Sequence, residues 1–199
     1  VRESGFPKVD TGDHWSKLNE EGYPPVFAAA RHGHMQICRL LLQHGAQIGR
    51  PASCYEEQDR WPLLMYAAKY GSVEVCSMVL QRGADVDERG EDGETALFAA
   101  CRSGSMEMLQ LLLGHGADMH AVSALGQTTL HAAAQVNQIA VASVLLERGL
   151  SARCRWHNGA TALHDAAVSC AVDMCRLLLS HKAHVDARDR KGRTPLHVA

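Results

Sequence analysis

A spacing of 33 residues recurs through this chain, and no other feature narrows its folding options as far. Segments opening at Thr95, Thr128, Thr161 and Thr194 read Thr-Ala-Leu-Phe, Thr-Thr-Leu-His, Thr-Ala-Leu-His and Thr-Pro-Leu-His, each 33 residues beyond the last. Pro62 opens a related segment another 33 residues back, and Pro24 opens the first, with five extra residues before the second begins. A second marker keeps the same phase: Gly45-Ala46, Gly83-Ala84, Gly116-Ala117, Gly149-Leu150 and Lys182-Ala183 are spaced by 38, 33, 33 and 33. Periods of this length belong to arrays of stacked units, because a unit so short cannot bury both of its apolar faces alone.

The chemistry inside each unit predicts its shape. Thr is a good N-cap and Pro is preorganised for a first helical turn, so each Thr-Pro-Leu-His-like start opens a short helix whose Leu and paired Ala face inward. Gly33, Gly71 and Gly104 then end that helix in a left-handed conformation. Ile37, Leu40 and Leu41, or Val172, Leu177 and Leu178, give a second helix its apolar spacing, and that helix stops at the Gly-Ala marker. Between units, Glu91-Asp92-Gly93 and His157-Asn158-Gly159 predict tight turns. With 28 Ala and 22 Leu among 199 residues and only 5% aromatics, the core is expected to be small, aliphatic and helical.

This unit of helix, turn, helix and projecting hairpin closely resembles the ankyrin repeat, and the resemblance covers residues 23–199. It implies an all-α solenoid of stacked helix-turn-helix units with β-hairpin-like fingers, first helices and fingers lining a concave side, and a role in protein binding. About five full repeats are expected, with a sixth breaking off inside its first helix at Ala199. Residues 1–22 fall outside the period and read as an N-terminal extension or cap, in which Asp13 caps a short helix carrying Trp15 and Leu18. A chain that opens at Val1 without Met and stops at Ala199 reads as a piece of something longer. Three positions depart from the repeat: Asn137 and Cys170 stand where the inter-helix Gly belongs, and Lys182 replaces the second Gly. Asn tolerates left-handed geometry, whereas both turns of the fifth repeat are expected to be strained or reshaped.

Composition excludes several classes of function. Twenty basic residues face 22 acidic ones, for a net charge of -2, so no chain-wide attraction to nucleic acid or anionic lipid is expected. No apolar run approaches the roughly 18 residues of a membrane span. Seven scattered Cys without a Cys-x-x-Cys pair suit a reducing, cytoplasmic or nuclear setting. The 12 His tempt a metal reading, but His131, His164 and His197 share one repeat position, with successive copies about 10 Å apart, too far for one Zn sphere. Their imidazoles are expected to bond loop backbone between units. His44, His115 and His181 share the end of the second helix, where a cation suits the helix dipole. No P-loop, Gly-x-Gly-x-x-Gly, His-Glu-x-x-His or Gly-x-Ser-x-Gly pattern occurs, so the expectation is a domain without catalysis, metal or cofactor.

Function must then lie in positions that vary and point outward. Tyr23, Arg31, Tyr55, Trp61, Lys69 and Tyr70 map to the fingers and the front of the first helices early in the chain. Glu91, Asp92, Glu94 and Arg102 follow, then Gln127, Gln135, Trp156 and His157, and finally Arg190, Lys191 and Arg193. Aromatics rimmed by polar groups are what interaction hot spots are made of. Charge is uneven: residues 61–130 hold four basic and nine acidic side chains, residues 131–199 nine and five. These positions suit a scaffold or adaptor, monomeric as a domain, that takes another protein or peptide along its groove with Trp61 and Tyr70 as anchors. Two narrower alternatives are a substrate-recognition or regulatory domain of a larger enzyme, such as a ubiquitin ligase, and a methyl-lysine reader with an aromatic cage of Trp61 and Tyr70 and acidic walls from Glu91 and Glu94.

Overall fold

The computed structural model describes residues 24–49 and 61–199. The expected extension over residues 1–22, and the expected contacts at Tyr23 and Tyr55, lie outside the described residues. Within them, each repeat supplies a first helix and, before the last, a second. The first helices are α1 (Pro25–Arg31), α3 (Leu63–Lys69), α5 (Ala96–Ser103), α7 (Thr129–Gln135), α9 (Ala162–Val168) and α11 (Pro195–Val198). The second helices are α2 (Met35–Gln43), α4 (Val73–Gln81), α6 (Met106–Gly114), α8 (Ile139–Glu147) and α10 (Val172–Ser180). Each first helix packs on the next first helix, each second helix on the next second helix, and the two rows meet within each of the first five repeats. The fold is an all-α repeat solenoid.

Helices of seven to nine residues are too short to persist alone in water, so burial between neighbours must hold them. Leu64, Leu97, Leu130 and Leu163 occupy one repeat position and are all buried, as are the flanking Ala67, Ala100, Ala133 and Ala166. Small Ala side chains let adjacent first helices approach closely. Truncating one of these Leu residues to Ala would cost about 2–5 kcal/mol. In the second row, Cys38 and Cys76 are buried like small apolar residues, each thiol close to a carbonyl of its own first helix (Val26 O at 3.9 Å, Leu64 O at 3.7 Å).

The helix starts divide the stack in two. In α7, α9 and α11, Thr128, Thr161 and Thr194 cap the helix, and the His three residues later closes a capping box. His131 Nδ1 accepts the Thr128 amide N–H (3.1 Å) and His164 Nδ1 that of Thr161 (3.2 Å), so the ring proton sits on Nε2. His164 Nε2–H donates onward to Arg193 O in the next repeat (3.1 Å), which ties the two units together as the repeat position predicts. Earlier in the chain Phe27, Met65 and Phe98 take the His position and are buried instead. Thr95, which faces Phe98, is left with a buried hydroxyl that has no hydrogen-bond partner.

The fingers are tight hairpins that repeat bond for bond. Gly90, Ser123, Trp156 and Asp189 each donate a backbone N–H to the carbonyl four residues on, at 2.8–2.9 Å. Successive fingers are then joined: Ala124 N–H to Asp92 O (2.8 Å), His157 N–H to Leu125 O (3.0 Å) and Arg190 N–H to Asn158 O (2.8 Å). Gly93 is required twice over, because its φ is 74° and a Cβ there would lie 2.6 Å from the Ala124 nitrogen. Arg89, Arg155 and Arg188 share one repeat position, which Val122 holds in the repeat between the first two, and they reinforce the turns. Arg155 Nη1 donates to Gly159 O (3.0 Å) and Arg188 O (2.6 Å), spanning two fingers.

The three departures from the Gly pattern keep the left-handed backbone: φ is 57° at Asn137, 52° at Cys170 and 64° at Lys182. The fifth repeat therefore has strained turns and has not been reshaped. Relieving that strain should stabilise the protein: Cys170→Gly or Lys182→Gly is expected to raise the unfolding free energy by about 0.5–1 kcal/mol in denaturant titration. A loss of stability in both variants would contradict the strain.

Candidate functional site: the face of fingers and first-helix ends

Two columns of side chains at the C-terminal ends of the first helices set the chemistry of this face. One runs Arg31, Lys69, Arg102, Gln135, Val168, and the other His32, Tyr70, Ser103, Val136, Ser169. The face is thus cationic over its first half and neutral to apolar over its second, with Val136 and Val168 both exposed.

In the first half the cations are already engaged. Lys69 Nζ lies 4.2 Å from the centre of the Trp61 ring and 5.8 Å from that of Tyr70, and the Arg31 guanidinium lies 5.4 Å from the Tyr70 ring. Trp61 and Tyr70 therefore hold the chain's own Lys69, where the methyl-lysine reading needs an empty cage. Trp61 is half-buried and also packs against Gly90, so it belongs partly to the finger. Glu94, expected to point outward, is only 6% exposed, and both of its carboxylate oxygens pair with the Arg102 guanidinium. That fork-to-fork pairing also raises the Arg102 pKa. Asp92 Oδ1 accepts the Glu94 N–H (3.0 Å) and shapes the turn, which leaves Glu91 as an exposed acid at the tip.

In the second half the expected contacts are rearranged too. Gln127 is buried at 6% exposure, with its N–H held by Ser123 Oγ (3.2 Å), and does not reach outward. Gln135 is half-buried, His157 is exposed with its ring against Gly126, and Arg190 and Lys191 are exposed at the tip of the last finger. Arg193 is committed to Asp189, through Nε to Oδ2 (2.8 Å) and Nη2 to Oδ2 (2.8 Å). The last cluster of positive charge thus divides into Arg188 and Arg193, which hold the finger, and Arg190 and Lys191, which extend from it.

Beneath the finger tips lies a buried polar cluster that the sequence did not announce. Among the described residues, four buried side-chain atoms lack a completed hydrogen bond, and three of them, His131 Nε2, Trp156 Nε1 and Asp165 Oδ2, gather around Trp156. The Trp156 and His131 rings meet edge to face, with centroids 6.0 Å apart. Burial pushes the Asp165 carboxyl up to about 7, and the neighbouring Gln135 amide and Trp156 indole only partly offset that. Burial likewise holds His131 down at about 4, although the carbonyls of Ala160 and Cys154 favour its charged form. The signal available for Asp165 was its place in the repeat, where Ala99 and Ala132 stand in the preceding units. Buried thiols at Cys76 and Cys101 are pushed up to about 12, which makes them inert packing groups. No group of three His, Cys, Asp or Glu among the described residues could hold a metal ion, and no described helix is long and apolar enough to cross a membrane.

The opposite side, built from α2, α4 and α6, carries a shallow open trough of about 850 Å³. Its charges are mixed, Arg39 and Arg82 with Glu74 and Glu107, so they offer no directional field.

Comparison with known families agrees with the periodicity. Residues 8–90 and 64–155 match a family model described as ankyrin repeats in three copies, and residues 163–199 match one described as ankyrin repeats in many copies. The first match begins within the stretch that the period leaves outside the repeats.

The two buried titrating groups act in opposite directions. Folded Asp165 holds its proton up to about pH 7 against an ordinary 3.8, so its contribution to stability is fully present below about pH 4 and is lost as pH rises through about 7. His131, held near 4 against 6.5, destabilises the fold as pH falls through that interval. Asp165→Asn removes only the first effect. Relative to the parent, it should gain about 1–3 kcal/mol between pH 4.5 and pH 8 in denaturant titrations. Parallel pH profiles for variant and parent would show that the carboxyl is ordinary.

Proposed function

This chain belongs to the ankyrin-repeat family, whose repeats are generally protein–protein interaction modules, and from that premise we propose that it holds an extended segment of a partner protein across its fingers and first-helix ends. The observation that carries the reading is the division of labour along the repeat. Leu, Ala and the capping Thr maintain the stack, whereas the side chains of Glu91, Leu125, Val136, Val168, Arg190 and Lys191 are exposed outside it, and Tyr70, whose ring also rests on Tyr66, keeps an exposed face. Their chemistry also changes along the face, from aromatic rings covered by cations, past the acid at Glu91, to apolar and then basic groups. Such a sequence of chemistries sets register and orientation for one partner segment. Stacked repeats of this kind present extended surfaces for that purpose.

The contact set follows the sequence expectation with the changes that the geometry imposes. Tyr70 with Lys69 and Arg31 forms a cationic aromatic platform. Glu91 and Asp92, Gln135, Trp156 and His157, and Arg190 and Lys191 contribute in turn, while the Glu94–Arg102 pair acts as a fixed polar strut. The proposal assigns the chain an adaptor or scaffold role without catalysis, in a reducing intracellular setting.

Site-specific photocrosslinking in cells tests the choice of face. A benzophenone amino acid at Tyr70, Val136 or Leu125 should label one shared partner, while the same group at Gln43, Gln81 or Gln110 on the second-helix side should not. Tyr70→Ala should then weaken that partner's binding by about 1–2 kcal/mol in titration. Labelling confined to the second-helix positions would overturn the proposal.

A further inference from the structure

The fingers turning at Gly126, Gly159 and Gly192 enclose a cleft of about 550 Å³. Its position is fixed by backbone, through the bonds His157 N–H to Leu125 O and Arg190 N–H to Asn158 O described above. Leu125 is 61% exposed and, with Trp156, gives the cleft an apolar wall. A large aliphatic side chain so exposed on a rigid turn contributes nothing to the stack, and covering it removes apolar area from water.

The electrostatics of the cleft are one-sided. Its only carboxylate, Asp189, is buried and fully used: Oδ1 accepts the N–H groups of Lys191 and Arg193 (both 2.9 Å), and Oδ2 takes the Arg193 guanidinium. Those bonds hold the Asp189 carboxyl below the usual range, against the burial that would raise it. Arg190 and Lys191 remain on the rim with no acidic partner among the described residues. Arg155 and Arg188, bonded to finger carbonyls, add positive charge that forms no ion pair among the described residues. The cleft therefore pairs an apolar wall with a positive field.

We infer that this cleft is an anchor site for an acidic segment of a partner protein that inserts one or two large apolar side chains against Leu125 and Trp156, while its carboxylates meet Arg190 and Lys191. The apolar wall decides for a peptide over a nucleic acid, whose backbone would use the charge and leave Leu125 uncovered. The positive rim repels a basic peptide. This inference rests on the proposed use of the finger face, and it names the chemistry of what binds at one end of it.

The test uses the full chain and a fluorescein-labelled octapeptide with a central Leu-Phe pair flanked by three Glu on each side, read by fluorescence anisotropy. Binding is expected to weaken about tenfold when Ala replaces Leu-Phe in the peptide, and to be lost when Lys replaces Glu. Leu125→Ser should reproduce the first effect, and Arg190→Ser with Lys191→Ser the second. Gln110→Ala should change nothing. All of these side chains are exposed, and unchanged circular dichroism and melting curves would verify that the variants fold. Equal binding of the Ala peptide, or of an oligothymidylate, would show that charge alone acts and would overturn the inference, as would variants that bind the parent peptide normally. If the peptide fails while the crosslinks at Tyr70 and Val136 persist, the finger face remains the binding face and only this anchor falls.

Discussion

Every other feature of this protein depends on the contact between one short first helix and the next. None of the helices is long enough to persist alone, so Leu64, Leu97, Leu130 and Leu163, with their Ala neighbours, must be buried by the adjacent repeats. That requirement explains the strict 33-residue spacing, since a unit of different length would carry its Leu out of line. It also explains where variation is allowed. The insertion of five residues falls between the first two units, and the remaining freedom lies in fingers and helix ends whose side chains face away from the stack.

The fingers convert the spacing of the stack into a rigid display. Three backbone hydrogen bonds link successive tips, and Gly93, Gly126 and Gly159 let the backbones approach because a Cβ at any of them would strike the next finger. Arginines at one repeat position add side-chain ties across the same seams. A partner meeting this edge therefore finds apolar and charged groups already fixed in place, which lowers the entropy cost of ordering an interface. The buried cluster of His131, Trp156 and Asp165 lies directly under the tips. Its polar atoms without a completed hydrogen bond lower stability close to the exposed Leu125 and Val168, and such local conflicts are expected where function competes with folding.

Much of this was legible in the sequence, for reasons that differ from residue to residue. Thr128, Thr161 and Thr194 announce helix starts because capping is local, and Asn137, Cys170 and Lys182 could be marked as left-handed because the turn fixes the backbone whatever the side chain. Side-chain pairing was not legible. Glu94 and Arg102 stand eight residues apart at positions that both vary, and only the folded path brings the carboxylate under the guanidinium. Lys69 reads from sequence as a separate contact when it lies over Trp61, and Arg193 as a charge open to a partner when it is bonded to Asp189. Asp165 escaped notice because a single carboxylate in an alanine position leaves no periodic trace. The regularity that identifies the fold is therefore also what conceals the site.

Amide hydrogen exchange, on the free chain and on its complex with the crosslinked partner, addresses the central claim most directly. If the finger face is the binding surface, slowed exchange should appear in the finger tips around Leu125, His157 and Lys191 and at the C-terminal ends of α7 and α9, with α2, α4 and α6 unchanged. Protection concentrated in α2, α4 and α6, around the trough on the second-helix side, would contradict it.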